Sequence, residues 1–480
     1  MSKTKILIFG TGGLYHNLKK FIFSNYDVIA FYDNDITKQG QYLDGKIILH
    51  VDEELSDDYQ FILVASMYFI DIRAQLLSKG IIDAKIKNIK FDILIGRQLW
   101  LSRRTLINKK KQDIIKNMKF PLLIIINSLR AGGAERALIN LLELLGKRGT
   151  NANVISIYGG GVFSSQVMSP HVYIELFQPE DDVAAALILN TIPEFYETII
   201  SDYFDTVVSF LEGPATLLGS FVSARNRIAW CHTNLKTYHW TSNFFINKDA
   251  ERNCYNKFDK IIFVSQSGLA GFCELYPDIN VQKSVVPNIF NTQQIIKLAN
   301  NKVSFSEFTF ITVGRLTAVK GFERLIIAFS EACHLVSRKI NLVIIGAGED
   351  YERLTALIIS LGLTQRVSLM GYADNPYQYM SAADVYISSS LTEGHPLSIG
   401  EALILGLPVV ATDNNGSKNI LHNGDYGLLI ENSINGLLFG IVKAVNDENF
   451  LPEYAAKAIK GASQFSHEKI VDDFLAIIKQ

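Results

Sequence analysis

Short apolar segments alternate with longer amphipathic segments along most of the chain, and several of the apolar segments end in glycine or a polar residue. Apolar runs of about four to eight residues between helical patterns are typical of buried parallel strands. The alternation therefore predicts an α/β protein built from doubly wound sheets. At 480 residues, 48% of them apolar, the chain is long enough for three domains of ordinary size.

The predicted strands fall into three groups along the chain. The first group is 5–9, 28–32 and 60–65; the second is 121–127, 206–210, 227–230 and 260–264; the third is 308–313, 341–345, 367–370, 384–388 and 408–411. From these groups we predict domains at residues 1–96, 120–302 and 303–480, with a basic linker at 97–119.

Two cations and two carboxylates are expected at one edge of the third sheet. Arg315 comes just after an apolar strand, and Lys320 comes just before an amphipathic helix. Glu393 lies in a loop after another strand, and Glu401 lies inside the helix that follows. Because open α/β sheets bind ligands outside the carboxyl ends of their strands, we predict that these four side chains line one crevice.

This set of residues suits a nucleotide sugar. Arg315 can hold a diphosphate through two hydrogen bonds and Lys320 can add a point charge, whereas an ionised Glu401 can accept hydrogen bonds from the paired hydroxyls of a ribose. Helix amides near the second glutamate would also face a phosphate. That helix start comprises Gly394, His395, Pro396 and Leu397.

The same residues resemble the C-terminal half of retaining glycosyltransferases with the GT-B fold, a group marked by a Gly-Arg-Leu…Lys-Gly segment and two glutamates separated by seven residues. The resemblance implies that Arg315 and Lys320 grip the donor diphosphate, that Glu393 touches the donor sugar and that Glu401 holds the ribose. It also implies two Rossmann-like domains that face a cleft, with the last helix crossing back. Surface cations and solvated helix carboxylates are the alternative interpretation.

Other residues gain a role from this resemblance. Gly132 and Gly133, at the start of a helix, would approach the donor phosphates or the acceptor, although two such glycines could also be a simple helix cap. His232, at the end of a strand, would face the reacting sugar. The turns that contain Gly314, Gly346, Gly371 and Tyr372 would lie near the nucleotide. For these turns, ordinary βα connections without a ligand contact are an equal alternative.

The first 96 residues open with a strand, a Gly-x-Gly-Gly turn and a helix, and Asp33 stands about 20 residues further on, where a ribose-binding acid is expected. The third glycine of the NAD-binding fingerprint is missing, which argues against NAD as the ligand. The segment resembles the N-terminal domain of bacterial sugar acyltransferases, which binds a nucleotide sugar; a role in docking or oligomerisation is equally open. Because the residues assigned to chemistry lie beyond Arg130, a chain beginning near Met118 is expected to fold and to remain active.

The segment between residues 97 and 119 has eight cations and one acid, Asp113, interspersed with apolar residues. The cations are Arg97, Arg103, Arg104, Lys109, Lys110, Lys111, Lys116 and Lys119. Such a segment can lie on an anionic membrane surface, which would suit an enzyme with a lipid-linked acceptor. A solvated linker helix is the alternative.

The net charge, the cysteines and the lengths of the apolar runs indicate which partners and which cell compartment suit the protein. A net charge of −2 and the lack of a basic domain with stacking aromatics argue against nucleic acid. Four scattered cysteines fit neither a zinc site nor a disulfide framework and favour a reducing cytoplasm. No apolar run reaches the roughly 18 residues that span a bilayer, and the N-terminus enters a strand. We expect a cytoplasmic protein, at most peripheral at the inner face of the cell membrane.

We therefore predict a retaining glycosyltransferase that moves a sugar from a nucleotide donor, with UDP favoured, to a hydroxyl of a lipid-linked or cell-surface glycan such as lipopolysaccharide, capsule or teichoic acid. No metal or cofactor is expected, because Arg315, Lys320 and helix amides can neutralise the leaving diphosphate. His232 and Glu393 would shape the site rather than form a covalent bond. A nucleotide-sugar 2-epimerase and a non-catalytic nucleotide-sugar sensor are the alternatives.

Overall fold

The computed structural model describes residues 3–53, 58–130, 132–300, 303–465 and 467–479, and these residues contain three sheets. The first sheet and its helices comprise β1 (Thr4–Phe9), α1 (Gly13–Asn25), β2 (Tyr26–Tyr32), β3 (Tyr42–Leu43), β4 (Lys46–Leu49), β5 (Phe61–Val64), α2 (Phe69–Ser78) and β6 (Ile86–Asn88). Its strand order is β3-β4-β2-β1-β5-β6, and only β3 and β4 pair antiparallel. Two helices follow, α3 (Ile93–Ser102) and α4 (Arg104–Asn117).

The second sheet is entirely parallel. The elements of this part of the chain are β7 (Leu122–Ser128), α5 (Gly133–Lys147), β8 (Asn153–Tyr158), β9 (Val172–Phe177), α6 (Asp182–Thr191), α7 (Pro193–Ile199), β10 (Phe204–Ser209), α8 (Pro214–Gly219), β11 (Ala224–Cys231), α9 (Lys248–Tyr255), β12 (Lys260–Phe263), α10 (Gln266–Leu275), β13 (Gln282–Val285) and α11 (Thr292–Ala299). The strand order is β13-β12-β11-β10-β7-β8-β9.

The third sheet is also parallel. Its elements are β14 (Phe308–Val313), α12 (Phe322–Leu335), β15 (Ile340–Ile345), α13 (Tyr351–Ser360), β16 (Val367–Leu369), α14 (Tyr377–Met380), β17 (Val385–Ser388), α15 (Leu397–Ile404), β18 (Val409–Thr412), α16 (Asn415–Ile420), β19 (Leu428–Ile430) and α17 (Ile434–Asn446), followed by α18 (Phe450–Ala462) and α19 (His467–Lys479). The strand order is β16-β15-β14-β17-β18-β19.

Alternate residues of the central strands enter different apolar clusters, so a sheet has a core on each of its faces. In β7, Leu123 and Ile125 pack on one side while Ile124 and Ile126 pack on the other, and all four side chains are fully buried. Burial of both faces is the reason that such strands are continuous apolar runs in the sequence. The predicted doubly wound α/β class is therefore confirmed.

Each strand named from the sequence forms within three residues of its predicted ends. Seven strands were not predicted: β3, β4, β6, β8, β9, β13 and β19. The edge strand β13 has no buried side chain, so no apolar run marks it, and β19 is only three residues long. Within the described ranges, no helix is long and apolar enough to cross a membrane.

The basic segment predicted as a linker lies in α3 and α4. The first of these helices packs against α1 and α6, and the second packs against α7 and β9. Ile95, Leu99, Ile107 and Ile114 are buried and belong to one apolar cluster that also contains core residues of the first and second sheets. On this face the core of the first sheet is continuous with that of the second through α3 and α4, whereas the opposite face of the first sheet packs into a separate apolar cluster.

The last helix leaves the third sheet and returns to the second. Phe474 of α19 stacks on Trp230 of β11 with ring centroids 5.3 Å apart, and Asp472 pairs with Arg148 at 2.9 Å. The chain thus passes between the second and third sheets twice, once after β13 and once before α19. The two passages touch, because the rings of Phe290 and Phe465 have centroids 4.4 Å apart.

Candidate active site

The candidate site begins at the carboxyl edge of the third sheet. β14 and β17 are neighbouring parallel strands, so Arg315 after β14 and the loop 389–396 after β17 start from the same edge. Gly321 turns the chain with φ of 65°, and a Cβ there would overlap the carbonyl oxygen of Ser389. Only glycine suits this left-handed close approach, which brings Lys320 beside the loop.

Lys320 and Glu393 form an ion pair, Nζ to Oε1, with side chains 25% and 14% exposed. Ser390 donates its hydroxyl to the same carboxylate oxygen at 2.6 Å. The carbonyl of Ser390 in turn accepts hydrogen bonds from Thr412 Oγ1 at 2.7 Å and from the Asn414 amide at 3.1 Å. The sequence predicted that these two charges line one crevice. Ser390 holds the Glu393 carboxylate in place, and Thr412 and Asn414 in turn hold Ser390.

Gly416 packs directly on Glu393. A Cβ at Gly416 would overlap Cβ and the carbonyl oxygen of Glu393, so a larger residue there would displace the carboxylate. Residues 412–417 contain a single glycine, and it is the one that makes this contact.

Arg315 reaches across the crevice to the second sheet. Its Nη2 lies 3.4 Å from Oε1 of Glu135, in the first turn of α5. The Glu135 side chain is 8% exposed and that of Arg315 is 50% exposed. Burial raises the pKa of Glu135, and the neighbouring Arg315 opposes that rise. The sequence did not single out Glu135, although it follows the two glycines by only two residues.

Three of the predicted glycines line the crevice between the second and third sheets. Gly132 packs so closely that a Cβ would overlap both the Glu135 carboxylate and the Arg315 guanidinium. A Cβ at Gly133 would lie 3.7 Å from Cδ1 of Leu397, and one at Gly394 would overlap the carbonyl oxygen of His232. The structure therefore brings the two halves of the predicted site into contact at these glycines.

His232 directly follows β11 and is buried beneath the crevice. Its ring lies 4.6 Å from the Phe210 ring and 5.8 Å from the Trp230 ring, measured between centroids. Burial lowers the pKa of His232 to about 3, partly opposed by Asn288, so the ring is neutral at neutral pH. Among the described residues, neither ring nitrogen has a hydrogen-bond partner. A neutral imidazole can therefore accept or donate one hydrogen bond, but cannot supply positive charge.

His395 is a second histidine on the other side of the crevice, and it is partly buried. Burial lowers its pKa to about 4, and its Nδ1 has no partner among the residues that the structure describes. The Asn288 amide donates to the carbonyl of His395 at 3.2 Å, while Oδ1 of Asn288 is likewise unpaired within the described chain. Unsatisfied buried polar atoms are rare, and here they gather where Gly394 meets His232.

Glu212 supports the turn that carries His232. Its Oε1 accepts the backbone N–H of Thr233 at 2.6 Å, and the residue is fully buried after β10. Burial raises the pKa of Glu212 from 4.5 to about 7, against the opposing effect of backbone hydrogen bonds. Glu212 was not identified from the sequence, because a single glutamate after a strand resembles an ordinary loop carboxylate.

We expect Glu212 to make the protein less stable as the pH rises. Its folded pKa lies above its unfolded value, so the folded state binds the proton more tightly, and the associated stability is present below about pH 4.5 and lost as the pH approaches 7. The full loss is roughly 3 kcal/mol. Thermal melts from pH 4.5 to 8 measure it: Glu212→Gln, which keeps an acceptor for Thr233, should show a smaller fall in Tm than the wild type. Parallel curves for the two proteins would contradict the assignment.

Glu401 is buried in α15 and accepts a hydrogen bond at Oε1 from the Tyr377 hydroxyl at 2.9 Å. Burial raises the pKa of Glu401, while the Tyr377 hydroxyl and the charge of Arg136 oppose the rise. Arg136 belongs to α5, across the crevice, where it also donates to Gln166 at 2.8 Å. Arg136 is a further residue that the sequence did not single out, and it faces both Glu401 and Tyr372.

The remaining predicted glycines form one set of turns at the same sheet edge. The Gly346 N–H donates to the Gly371 carbonyl at 2.8 Å, and a Cβ at Gly346 would overlap the carbonyl oxygen of Gly314. Tyr372 is 36% exposed beside them. Pro396 caps α15 and Leu397 is its first residue. Among the described residues, no group of three or more His, Cys, Asp or Glu side chains is placed to hold a metal ion.

Comparison with known families identifies the domain that contains most of these residues. Residues 296–465, which include the whole third sheet, match the family described as glycosyl transferases group 1. Residues 296–465 are a group 1 glycosyltransferase domain. Arg315, Lys320, Glu393 and Glu401 lie inside this group 1 domain, whereas Glu135 lies on the part of the chain that faces it.

Solved structures share the arrangement of the second sheet and the group 1 domain. Anabaena HepE, solved in complex with UDP-glucose, is 22% identical, covers 75% of this chain and 99% of its own, and has a TM-score of 0.59. WaaG, a glycosyltransferase involved in lipopolysaccharide biosynthesis, is 17% identical, covers 74% of this chain and 99% of its own, and has a TM-score of 0.56. At these identities the likeness shows the GT-B fold.

Curated relatives are enzymes of sugar transfer. N-acetylgalactosamine-N,N'-diacetylbacillosaminyl-diphospho-undecaprenol 4-alpha-N-acetylgalactosaminyltransferase of Campylobacter jejuni is 26% identical over 362 residues, which is 73% of this chain and 97% of that one. UDP-Gal:alpha-D-GlcNAc-diphosphoundecaprenol alpha-1,3-galactosyltransferase of Escherichia coli is 29% identical over 254 residues, 49% of this chain and 59% of that one. Together with the group 1 domain, these relatives identify the chain as a glycosyltransferase.

The N-terminal segment matches a different family from the group 1 domain. Residues 2–95 match the family described as C2185-like, N-terminal. Asp33 accepts hydrogen bonds from the backbone N–H of Thr11 at 3.0 Å and of Asp35 at 2.9 Å, and from the Thr11 hydroxyl. Burial favours a higher pKa, but these hydrogen bonds outweigh it and lower the pKa of Asp33. Asp33 thus holds the glycine-rich turn in place, and ligand binding by this segment stays a prediction.

Proposed function

We propose that the protein is a retaining glycosyltransferase that moves a sugar from a UDP-sugar to a hydroxyl of a lipid-linked or cell-surface glycan. The observation that supports it most is the placement of Arg315 and Lys320 at the carboxyl edge of the group 1 domain, beside the start of α15 and opposite the Gly132-Gly133 turn. Relatives that act on diphospho-undecaprenol-linked sugars support the acceptor class. A fold neighbour with UDP-glucose bound supports the donor class.

In the proposed reaction the donor diphosphate replaces the carboxylates that contact the two cations. The ion pairs Lys320–Glu393 and Arg315–Glu135 give way to ion pairs between each cation and phosphate oxygens. The bond between C1 of the sugar and the diphosphate oxygen breaks while the acceptor oxygen bonds to C1 on the same face, and the acceptor proton passes to the leaving phosphate. Negative charge grows on that phosphate, so two cations and the helix amides stabilise the transition state without a required metal ion.

Two side chains are then left to position the sugar. Glu393, released from Lys320, is held by Ser390 and by its contact with Gly416, and can accept hydrogen bonds from sugar hydroxyls. His232, neutral and without a partner among the described residues, can bond another hydroxyl. Neither residue needs to form a covalent bond to the sugar.

A screen of nucleotide sugars by thermal shift tests the donor, because a ligand that binds only the folded state raises its Tm. The donor that gives the largest shift is then incubated with the protein and a hydroxyl acceptor, and the anomeric configuration of the product is read by NMR. We expect a UDP-sugar to give the largest shift and the product to keep the donor's configuration. An inverted product would refute retention, an epimerised free nucleotide sugar would indicate a 2-epimerase, and binding without any turnover would indicate a sensor.

Glu401→Ala is expected to weaken UDP binding about ten- to a hundredfold, because a carboxylate that accepts hydrogen bonds from ribose hydroxyls contributes roughly 1.5–3 kcal/mol. Isothermal titration with UDP measures the change. Tyr377→Phe is the matched control, since it removes the hydrogen bond to Glu401 at 2.9 Å but keeps the carboxylate. Unchanged UDP affinity in a folded Glu401→Ala protein would defeat the ribose assignment.

A further inference from the structure

The helices α3 and α4 expose apolar and basic side chains next to each other. On α3, Ile93, Leu94 and Leu101 are 63%, 53% and 53% exposed, and their spacing places them on one side of the helix. On α4, Arg104, Lys109 and Lys116 are exposed. We call these six residues the α3–α4 surface. The helices are joined by a single residue, Arg103, so the apolar and the basic parts are continuous along the chain.

The three cations of this surface make no ion pair within the described residues, although Asp113 lies on the same helix. Arg104, Lys109 and Lys116 make no ion pair there, whereas two neighbouring arginines do. Arg97 pairs with Glu194, and Arg103 pairs with Asp181. Lys109 and Lys116 lie on the side of α4 opposite its buried residues Ile107 and Ile114.

Exposed cations beside exposed aliphatic side chains match the chemistry of an anionic lipid surface. The cations gain from the negative potential of the head groups, and the aliphatic side chains are removed from water at the boundary with the acyl chains. A nucleic acid would satisfy the cations, but its phosphate backbone offers nothing to Ile93, Leu94 and Leu101. The apolar half of the surface thus favours lipid over nucleic acid.

Ion pairs connect the corner between α3 and α4 to the segment that leads into the candidate site. Arg103, at the corner between the helices, contacts Asp181 through Nε and Oδ1 at 2.6 Å. The next residue, Asp182, begins α6 and pairs with Arg130 at 2.7 Å. Arg130 ends the segment that follows β7 and precedes the Gly132-Gly133 turn. Two consecutive aspartates therefore connect the corner of this surface to the edge of the second sheet that faces the group 1 domain.

We propose that the α3–α4 surface docks the protein on an anionic phospholipid bilayer. The docked enzyme holds the Gly132-Gly133 edge of its crevice next to the lipid head groups, so an acceptor that carries a lipid anchor enters without leaving the bilayer. Docking itself is independent of the acceptor, whereas the delivery of a lipid-linked acceptor rests on the proposed function.

Co-sedimentation with vesicles of phosphatidylglycerol and phosphatidylcholine in equal amounts tests the docking, with no need for donor or turnover. The wild type should bind at low salt and be released as added salt screens the cations. The triple variant R104E/K109E/K116E should bind about a hundredfold more weakly. The variant I93S/L94S/L101S should keep the salt dependence but lose affinity, because only the apolar contribution is removed.

A matched control separates this surface from general charge attraction. Lys20, Lys297 and Lys339 are exposed, lie outside α3 and α4, and make no ion pair within the described ranges. The variant K20E/K297E/K339E changes the net charge equally and should bind vesicles like the wild type. Wild-type binding by R104E/K109E/K116E, or an equal loss in the control, would overturn the proposal. Binding of the wild type to duplex DNA but not to vesicles would overturn the choice of lipid. Circular dichroism and Tm confirm that each variant is folded.

Discussion

Replacing Arg315 by alanine is expected to lower kcat for sugar transfer by about a hundredfold to a thousandfold, with a smaller rise in KM for the donor. The charge on the leaving diphosphate is larger in the transition state than in the bound donor, so a cation aimed at it contributes more to turnover than to binding. Steady-state kinetics with the donor from the thermal-shift screen measure both parameters.

Two controls separate this effect from altered folding or net charge. Arg353→Ala removes an arginine of the same domain whose side chain is 49% exposed and pairs with Glu323 and Asp350, so its kcat should stay near the wild-type value. Glu135→Gln keeps Arg315 and removes only the carboxylate that it contacts at 3.4 Å, so it should retain most turnover. If Arg315→Ala raises KM alone, or if Arg353→Ala is equally impaired, Arg315 does not stabilise the leaving group.

The packing of α3 and α4 reverses the expectation, drawn from the sequence, that a chain beginning near Met118 folds and remains active: we now expect such a chain to aggregate or to lose its cooperative unfolding transition. The deletion removes Ile95, Leu99, Ile107 and Ile114, which are between 0% and 6% exposed, and it uncovers the faces of α6 and α7 against which they pack. Burial of four such side chains contributes roughly 6–12 kcal/mol, which is comparable with the whole stability of an ordinary domain. Size-exclusion chromatography and thermal melts measure the outcome.

The matched control is a chain that begins at Asp92. It also lacks the first sheet, but it keeps α3 and α4, and the Asp92 side chain still caps α3 through the N–H of Ile95 at 3.0 Å. This longer protein should be soluble and should bind UDP. Equal folding of both shortened proteins would show that the two helices are dispensable, and failure of both would show that the first sheet itself is required.

Arg315 and Glu393 could be predicted from the sequence because each follows a continuous apolar strand, and the ends of parallel strands meet at one edge. Glu135 and Arg136 could not be found in this way, because charges in the first turn of an amphipathic helix resemble ordinary solvated charges. Their role depends on how α5 faces the third sheet, and that relation arises from contacts between residues far apart in the chain.

The packing of α3 and α4 into the protein core was not predicted from the sequence because both helices are rich in cations. Ile95 and Leu99, and later Ile107 and Ile114, are spaced at four and seven residues, the repeat of a buried helix face. Eight positive charges in the same stretch made a solvated linker the simpler interpretation. The long stems of such side chains can cover apolar surface while their charged ends stay in water, so basic composition does not exclude a packed helix.

The contact between Phe290 and Phe465 governs how the crevice can open. The chain passes twice between the two halves of the GT-B fold, and both passages meet at this aromatic pair, with Gly400 of α15 packed so closely on Phe290 that a Cβ would overlap its ring. Because both passages lie at one point, we expect the halves to move apart by a hinge motion, with sliding and twisting restricted. Closure around a donor therefore sacrifices little orientational freedom, and reacting groups on opposite halves return to the same alignment in each catalytic cycle.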